Sequence, residues 1–166
     1  GYRIAIAGAR EAWRIAGWLA ERKVPVIFES VFDLPVRDTD AYDAQFRAPA
    51  LLRASGVRVA LALGPGGWSA AGLRNLPYHA AHARAFGLSE EDALAAITRI
   101  PAELLGVGDR LGSIEPGKAA TLIAVAGDLF DVRANVVRMW IEGKETDLSS
   151  RHTRLYDRYD RRPRPR

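Results

Sequence analysis

The 166-residue chain contains no cysteine, so neither a disulfide framework nor a thiolate nucleophile is open to it. No apolar run approaches the roughly 20 residues needed to cross a bilayer, and the N-terminus lacks the charged, apolar and small-residue order of a signal segment. A soluble protein without a membrane role is therefore expected, its compartment undetermined. A phosphate-binding G-x-x-x-x-G-K-[ST] loop is missing; Gly64-Pro65-Gly66-Gly67 comes nearest, but Pro65 has no N–H to donate, and a plain turn is expected there. Ser69 has no G-x-S-x-G elbow around it, which leaves serine nucleophile chemistry unsupported. Before the last sixteen residues there is no internal repeat and no low-complexity run.

What the chain does have is a globular composition, 48% hydrophobic and 27% charged, enough to bury a sizeable core. It begins at Gly1, and Arg3 to Ala7 already reads as a strand, so a fragment or processed product is expected. The formal charge of +4 is concentrated at the other end. Residues Arg151 to Arg166 hold seven Arg against two Asp, with Tyr156 and Tyr159 interleaved. A solvated tail is the expected reading; the alternative is a basic module that binds nucleic acid through arginine and stacking aromatics.

Apolar strands alternate with amphipathic helices over the first half. Arg3 to Ala7 reads as a strand, Glu11 to Arg22 as a helix with Ala12, Ile15, Ala16 and Leu19 on one face, and Val24 to Phe28 as a second strand. Phe46 to Ser55 follows as a helix stopped by Gly56, then Val57 to Leu63 as a third strand. Near-continuous apolar strands predict burial on both faces and hence a parallel α/β sheet, either part of a (β/α)₈ barrel or a small doubly wound sheet. Helices are expected over Asn75 to Phe86 and Glu90 to Thr98, with a short one, Ala102 to Leu105, opened by Pro101 and ended by Gly106. Beyond them Glu115-Pro116-Gly117 predicts a chain reversal into a strand, Thr121 to Val125. A second strand, Val137 to Glu142, ends in the turn Glu142-Gly143-Lys144, which suggests a small β-structure beside the α/β part. Of Trp13 and Trp18, on different helical faces, one is expected in the core.

Site candidates come from the strand ends, where α/β barrels place their chemistry. Arg10 follows the first strand, and Glu29 and Asp33 follow the second; they are the expected substrate contacts, Arg10 toward an anionic group and Glu29 toward an amide. Within the loop Glu29 to Gln45, Asp33, Asp38, Asp40 and Asp43 read as solvated turns or, alternatively, as a site for a cation or a basic substrate. His79 and His82 share a helical face three residues apart; surface or packing histidines are expected, against the alternative of a zinc ion bridged with Glu91 or Asp92. His152 belongs to the tail.

The segments EAWRIAGWLAERKVPVI (Glu11 to Ile27), APALLRASGVRVAL (Ala48 to Leu61), LRNLPYHAAHARAFGLSEEDALAAITRIPAELLGVGDRLGSIEPGK (Leu73 to Lys118) and VVRMWIEGKE (Val136 to Glu145) together resemble the C-terminal part of the amidohydrolase superfamily, in its imidazolonepropionase-like and prolidase-like branch. The resemblance implies the last three βα units of a (β/α)₈ barrel in residues 1–106, strands of a small β-sandwich in 107–148, and a basic tail in 149–166. It implies metal-dependent hydrolysis of C–N bonds in cyclic amides or dipeptides, with zinc or another divalent ion in the family. The family's metal-binding His after the sixth strand and the Asp after the eighth are not matched: the chain reads Ala7-Gly8-Ala9-Arg10 and Leu63-Gly64-Pro65 there. No metal ligand is therefore assigned, the catalytic residues stay unassigned, and the chain alone is expected to bind no cofactor and to be inactive. Its expected partner is the missing N-terminal part of the barrel or a second copy of itself. A non-catalytic scaffold is the alternative.

Overall fold

The computed structural model describes residues 4–29, 31–64 and 71–162. The expected start of the first strand at Arg3, the Pro65 to Gly67 part of the glycine turn, and Ser69 lie outside them.

Three short strands, β1 (Ile6–Ala7), β2 (Val26–Phe28) and β3 (Val59–Leu61), form a parallel sheet in the order β1-β2-β3. Val26 stands opposite Ile6 on one side and Val59 on the other. Side-chain alternation sends Val26, Phe28, Val59 and Leu61 to a single face, and all are at most 3% exposed. They meet Ala12, Ala16 and Leu19, then Ala48 and Leu52, then Ala80 and Ala83, in one continuous core. The opposite face is covered less: Ala7 is exposed and Ile27 half-buried, and Ala60 meets Ala95 and Ile100. The expectation of burial on both faces is thus met on one side and only in part on the other.

The helix expected over Glu11 to Arg22 begins as a 3₁₀ turn, Ala12–Ile15, and becomes α1 (Ala16–Glu21). The tighter turn shifts the phase, so Ala12, Ala16 and Leu19 are buried while Ile15 is 52% exposed, contrary to its expected place on the core face. Trp13 packs against the core, and Trp18 lies exposed under the Arg22 guanidinium. Next come α2 (Ala44–Ala54), α3 (Leu76–Ala85) and α4 (Glu90–Ile97). The Ser89 hydroxyl caps α4 by accepting from the Asp92 N–H, and the Arg53 guanidinium bridges α2 to the Asp92 carboxylate at 2.7 Å. The helix α5 (Arg99–Leu104) starts at Arg99, so Pro101 sits inside its first turn instead of opening it.

The second half is an antiparallel sheet of β4 (Leu122–Ala126), β5 (Asn135–Ile141) and β6 (Lys144–Glu145). Glu142 and Gly143, both at positive φ, make the two-residue hairpin turn between β5 and β6. The expected reversal at Glu115-Pro116-Gly117 is present: the Lys118 N–H donates to the Glu115 carbonyl, with Gly117 at φ +89°. Just before it, Gly112 holds the two halves together by close approach. A Cβ there would stand 2.6 Å from Ala102 Cβ, and φ is +93°.

The described part of the tail is exposed almost throughout and forms a helix the sequence reading did not anticipate, α6 (Arg151–Asp160), started by a Ser150/Thr153 capping box. None of its residues is buried. Much of the arginine elsewhere is neutralised, as in Arg14–Asp40, Arg84–Asp128 and Arg138–Glu145. Among the described residues no ion pair involves Arg151, Arg154, Arg158, Arg161 or Arg162.

Two glycine substitutions separate these effects. Gly112→Ala is expected to destabilise the fold by about 2 kcal/mol or more, through overpacking and a disfavoured φ. Gly17→Ala, in α1 with nothing within 4 Å of the added Cβ, is expected to stabilise it by roughly 0.5–1 kcal/mol. Urea denaturation midpoints of the two variants check both signs.

Candidate functional site at the strand ends

The C-terminal ends of all three parallel strands meet at one carboxylate. The Gly8 N–H donates to the Ile27 carbonyl at 3.2 Å and the Ala62 N–H to the Phe28 carbonyl at 3.0 Å, which carries the register past the strands. Glu29 is the first residue after β2, the central strand, and is half-buried. Its Oε2 lies 3.4 Å from the place a Cβ would take on Gly8 and 3.5 Å from that on Gly64. Gly8 sits at φ +69° and needs to be glycine for its backbone; Gly64 is not in the left-handed region, so what its missing side chain provides is room.

Arg10 and Asp33, the other two expected contacts, are brought to each other. Arg10 Nε stands 3.4 Å from Asp33 Oδ2, and its Nη2 donates to the Leu34 carbonyl at 2.7 Å. The rest of the aspartate loop is tied down in the same way. Arg37 pairs with Glu11 at 2.7 Å, and Asp40 takes a hydrogen bond from Arg14, which holds its carboxyl below the usual range. Asp43 faces Arg47 at 3.9 Å. Three of the four aspartates thus have arginine partners, which favours the structural reading of the loop over a cation site. Among the described residues, no group of three or more His, Cys, Asp or Glu side chains is placed to hold a metal ion.

His79 and His82 have a role their spacing alone did not reveal. Phe32, from the loop after β2, lays its ring 4.5 Å from His79 and 4.7 Å from His82. Phe46 and Phe86 close on His82 at 4.7 and 4.9 Å. His79 Nδ1 and His82 Nε2 are buried without a hydrogen-bond partner. A legible signal existed in the i, i+4 pair His82/Phe86, but Phe32 and Phe46 come from other elements. Beside this cluster an open crevice of about 610 Å³ is lined by Phe32, Tyr78, His82, Asp128 and Phe130 among others.

The sequence profile of the amidohydrolase family matches residues 21–146. The chain belongs to the amidohydrolase family. Over 86% of its length the chain is similar to an amidohydrolase of known structure from Thermotoga maritima, with 34% identity and a TM-score of 0.72, and it covers 36% of that chain. Over 95% of its length it is similar to an adenosine deaminase from Xanthomonas campestris with bound zinc, with 24% identity and a TM-score of 0.61, covering 41% of that chain. A 58-residue stretch, 35% of the chain and 6% of the relative, is 41% identical to amidohydrolase tasK of Hapsidospora irregularis. The chain therefore spans well under half the length of these relatives. The residues at these strand ends do not supply the ligand set expected for the family's metal: the run Ala7-Gly8-Ala9-Arg10 holds no His and Leu63-Gly64 no Asp, Pro65 to Gly67 lying outside the described residues, and Glu29 is the one carboxylate flanked by Gly8 and Gly64.

The histidine cluster makes stability depend on pH. Burial pushes both imidazoles below the ordinary 6.5; for His79 the neighbouring His82 adds to this and Asp33 offsets part of it. The unfolded chain then binds protons more readily than the folded one, so this contribution is complete above about pH 6.5 and is lost as pH falls through the lowered folded values. His82→Phe is expected to flatten the decline in urea midpoint between about pH 7.5 and 5 relative to the parent. An unchanged slope would show that His82 is as easily protonated folded as unfolded.

Proposed function

We propose that this chain is the C-terminal segment of a C–N hydrolase acting on cyclic amides or dipeptides, inactive until the rest of the barrel joins it. On this reading residues 1–106 supply the last three βα units of a (β/α)₈ barrel, 107–148 strands of the flanking sandwich, and 149–166 a basic appendage. The observation that carries it is the half-finished sheet: among the described residues β1 and β3 each pair on one side only, and the face bearing Ala7 and Ile27 is partly uncovered. Open parallel edges of this kind call for further strands. Arg10, Glu29 and Asp33 border the reaction cavity on the C-terminal side of the strands, where barrels of this class do their chemistry. Zinc or another divalent ion would be held by groups outside this segment, because Gly8 and Gly64 have no ligating atoms. The same glycines favour a second reading, a scaffold that keeps the fold without hydrolysis.

Expressed alone, the chain is expected to self-associate in sedimentation and to hydrolyse no cyclic amide or dipeptide with or without added zinc. Co-expression with a segment equivalent to the remaining length of its relatives is expected to yield a complex with amide hydrolysis. Hydrolysis by the isolated chain would overturn the segment reading, and a stable but inactive complex would favour the scaffold.

A further inference from the structure

The Glu29 carboxylate is the one charged group the described residues place at the junction of all three strand ends. No hydrogen bond or ion pair engages it among the described residues, although Arg10, after the first strand, and Asp33, in the loop after the second, are paired with each other. An unpaired carboxylate that is still open to solvent is free to accept from a ligand group that donates N–H bonds or carries positive charge. Neither neighbouring strand end, at Gly8 or at Gly64, sets a side chain beside the carboxylate. A side chain on Gly8 or Gly64 would begin within 3.5 Å of Oε2, and Gly64 has no backbone requirement for glycine.

We infer that Glu29 is a specificity-determining residue that accepts hydrogen bonds from a cationic, amine-bearing part of the substrate, so that this hydrolase favours amides with a basic group over amides with a carboxylate. The inference rests on reading the strand ends as the substrate-facing side, as proposed above. Arg10 does not compete for this role: its Nη2 is spent on Leu34 and its charge faces Asp33. Phosphate-bearing or carboxylate-bearing ligands would meet Glu29 as a repelling neighbour.

Three N-alkylacetamides of matched length test the charge preference: N-acetylputrescine (cationic), N-butylacetamide (neutral) and 4-acetamidobutanoate (anionic). Binding is read by NMR titration of the chain itself, following the Gly8, Glu29 and Gly64 amide signals. The parent chain is expected to bind the cation roughly tenfold or more tightly than the anion. Glu29→Gln is expected to erase that preference, and Glu29→Lys to reverse it in favour of 4-acetamidobutanoate. Gly64→Leu, which fills the space beside Oε2, is expected to weaken all three ligands. Equal binding of cation and anion by the parent, or a cation preference that survives Glu29→Gln, would overturn the inference. Because binding is read without turnover, failure of the hydrolysis experiment above leaves this result separately decisive.

Discussion

Val26 and Phe28, neither with any exposed surface, project from the central strand into the same core as Leu19 and Leu52. This one-sided burial determines how the rest of the molecule is presented. Because successive side chains alternate, committing Val26 and Phe28 to the helical layer turns Ile27 and then Glu29 to the other side. The small residues Ala12, Ala16, Ala48, Ala80 and Ala83 let the helices lie close to the sheet. The short strands are therefore held mainly from one face, while the other face, covered in part by Ala95 and Ile100, and the strand ends stay more open. The carboxylate position follows from core packing two residues away.

The loop after β2 is organised by a different force. Its acidic side chains meet Arg10, Arg14 and Arg47, and its own Arg37 meets Glu11, so charge pairing joins it to the start of the first helical segment and to α2. Single pairs of this exposure each contribute little, but several converging on one loop restrict its paths. Phe32 supplies the apolar anchor by covering both imidazoles of α3. A loop held at both its charged and aromatic points presents its neighbours at the strand ends in a fixed arrangement before any ligand arrives.

Much of this was readable from residue order. The apolar runs ending at Ala7 and Phe28, the run Val57 to Leu63 that holds the shorter strand Val59–Leu61, the glycine stops at Gly56 and Gly106, and the Glu115 to Gly117 reversal follow local rules that longer-range packing did not override. Ile15 misled because a helical wheel assumes one pitch, and the segment changes from 3₁₀ to α at Ala16. In the tail, charge was a guide to exposure but not to conformation, because the Ser150/Thr153 box initiates a helix regardless of net charge. At the strand ends, Glu29 was legible as a position, but the flanking of its carboxylate by Gly8 and Gly64 required the register of three strands distant in sequence. The histidine environment was similarly hidden, since Phe32 and Phe46 reach it from separate elements.

The capped terminal helix also changes how the molecule's basicity should be understood. Residues 151–166 carry seven Arg and two Asp in a chain of net +4, so the preceding 150 residues are balanced to within one charge. The sequence isoelectric point of about 9.8 is thus a property of an appendage and not of the folded body. A single proteolytic cut between Leu148 and Arg151 would convert a strongly basic protein into a nearly neutral one. Its migration in an electric field and its retention on a cation exchanger would change while the core stayed intact.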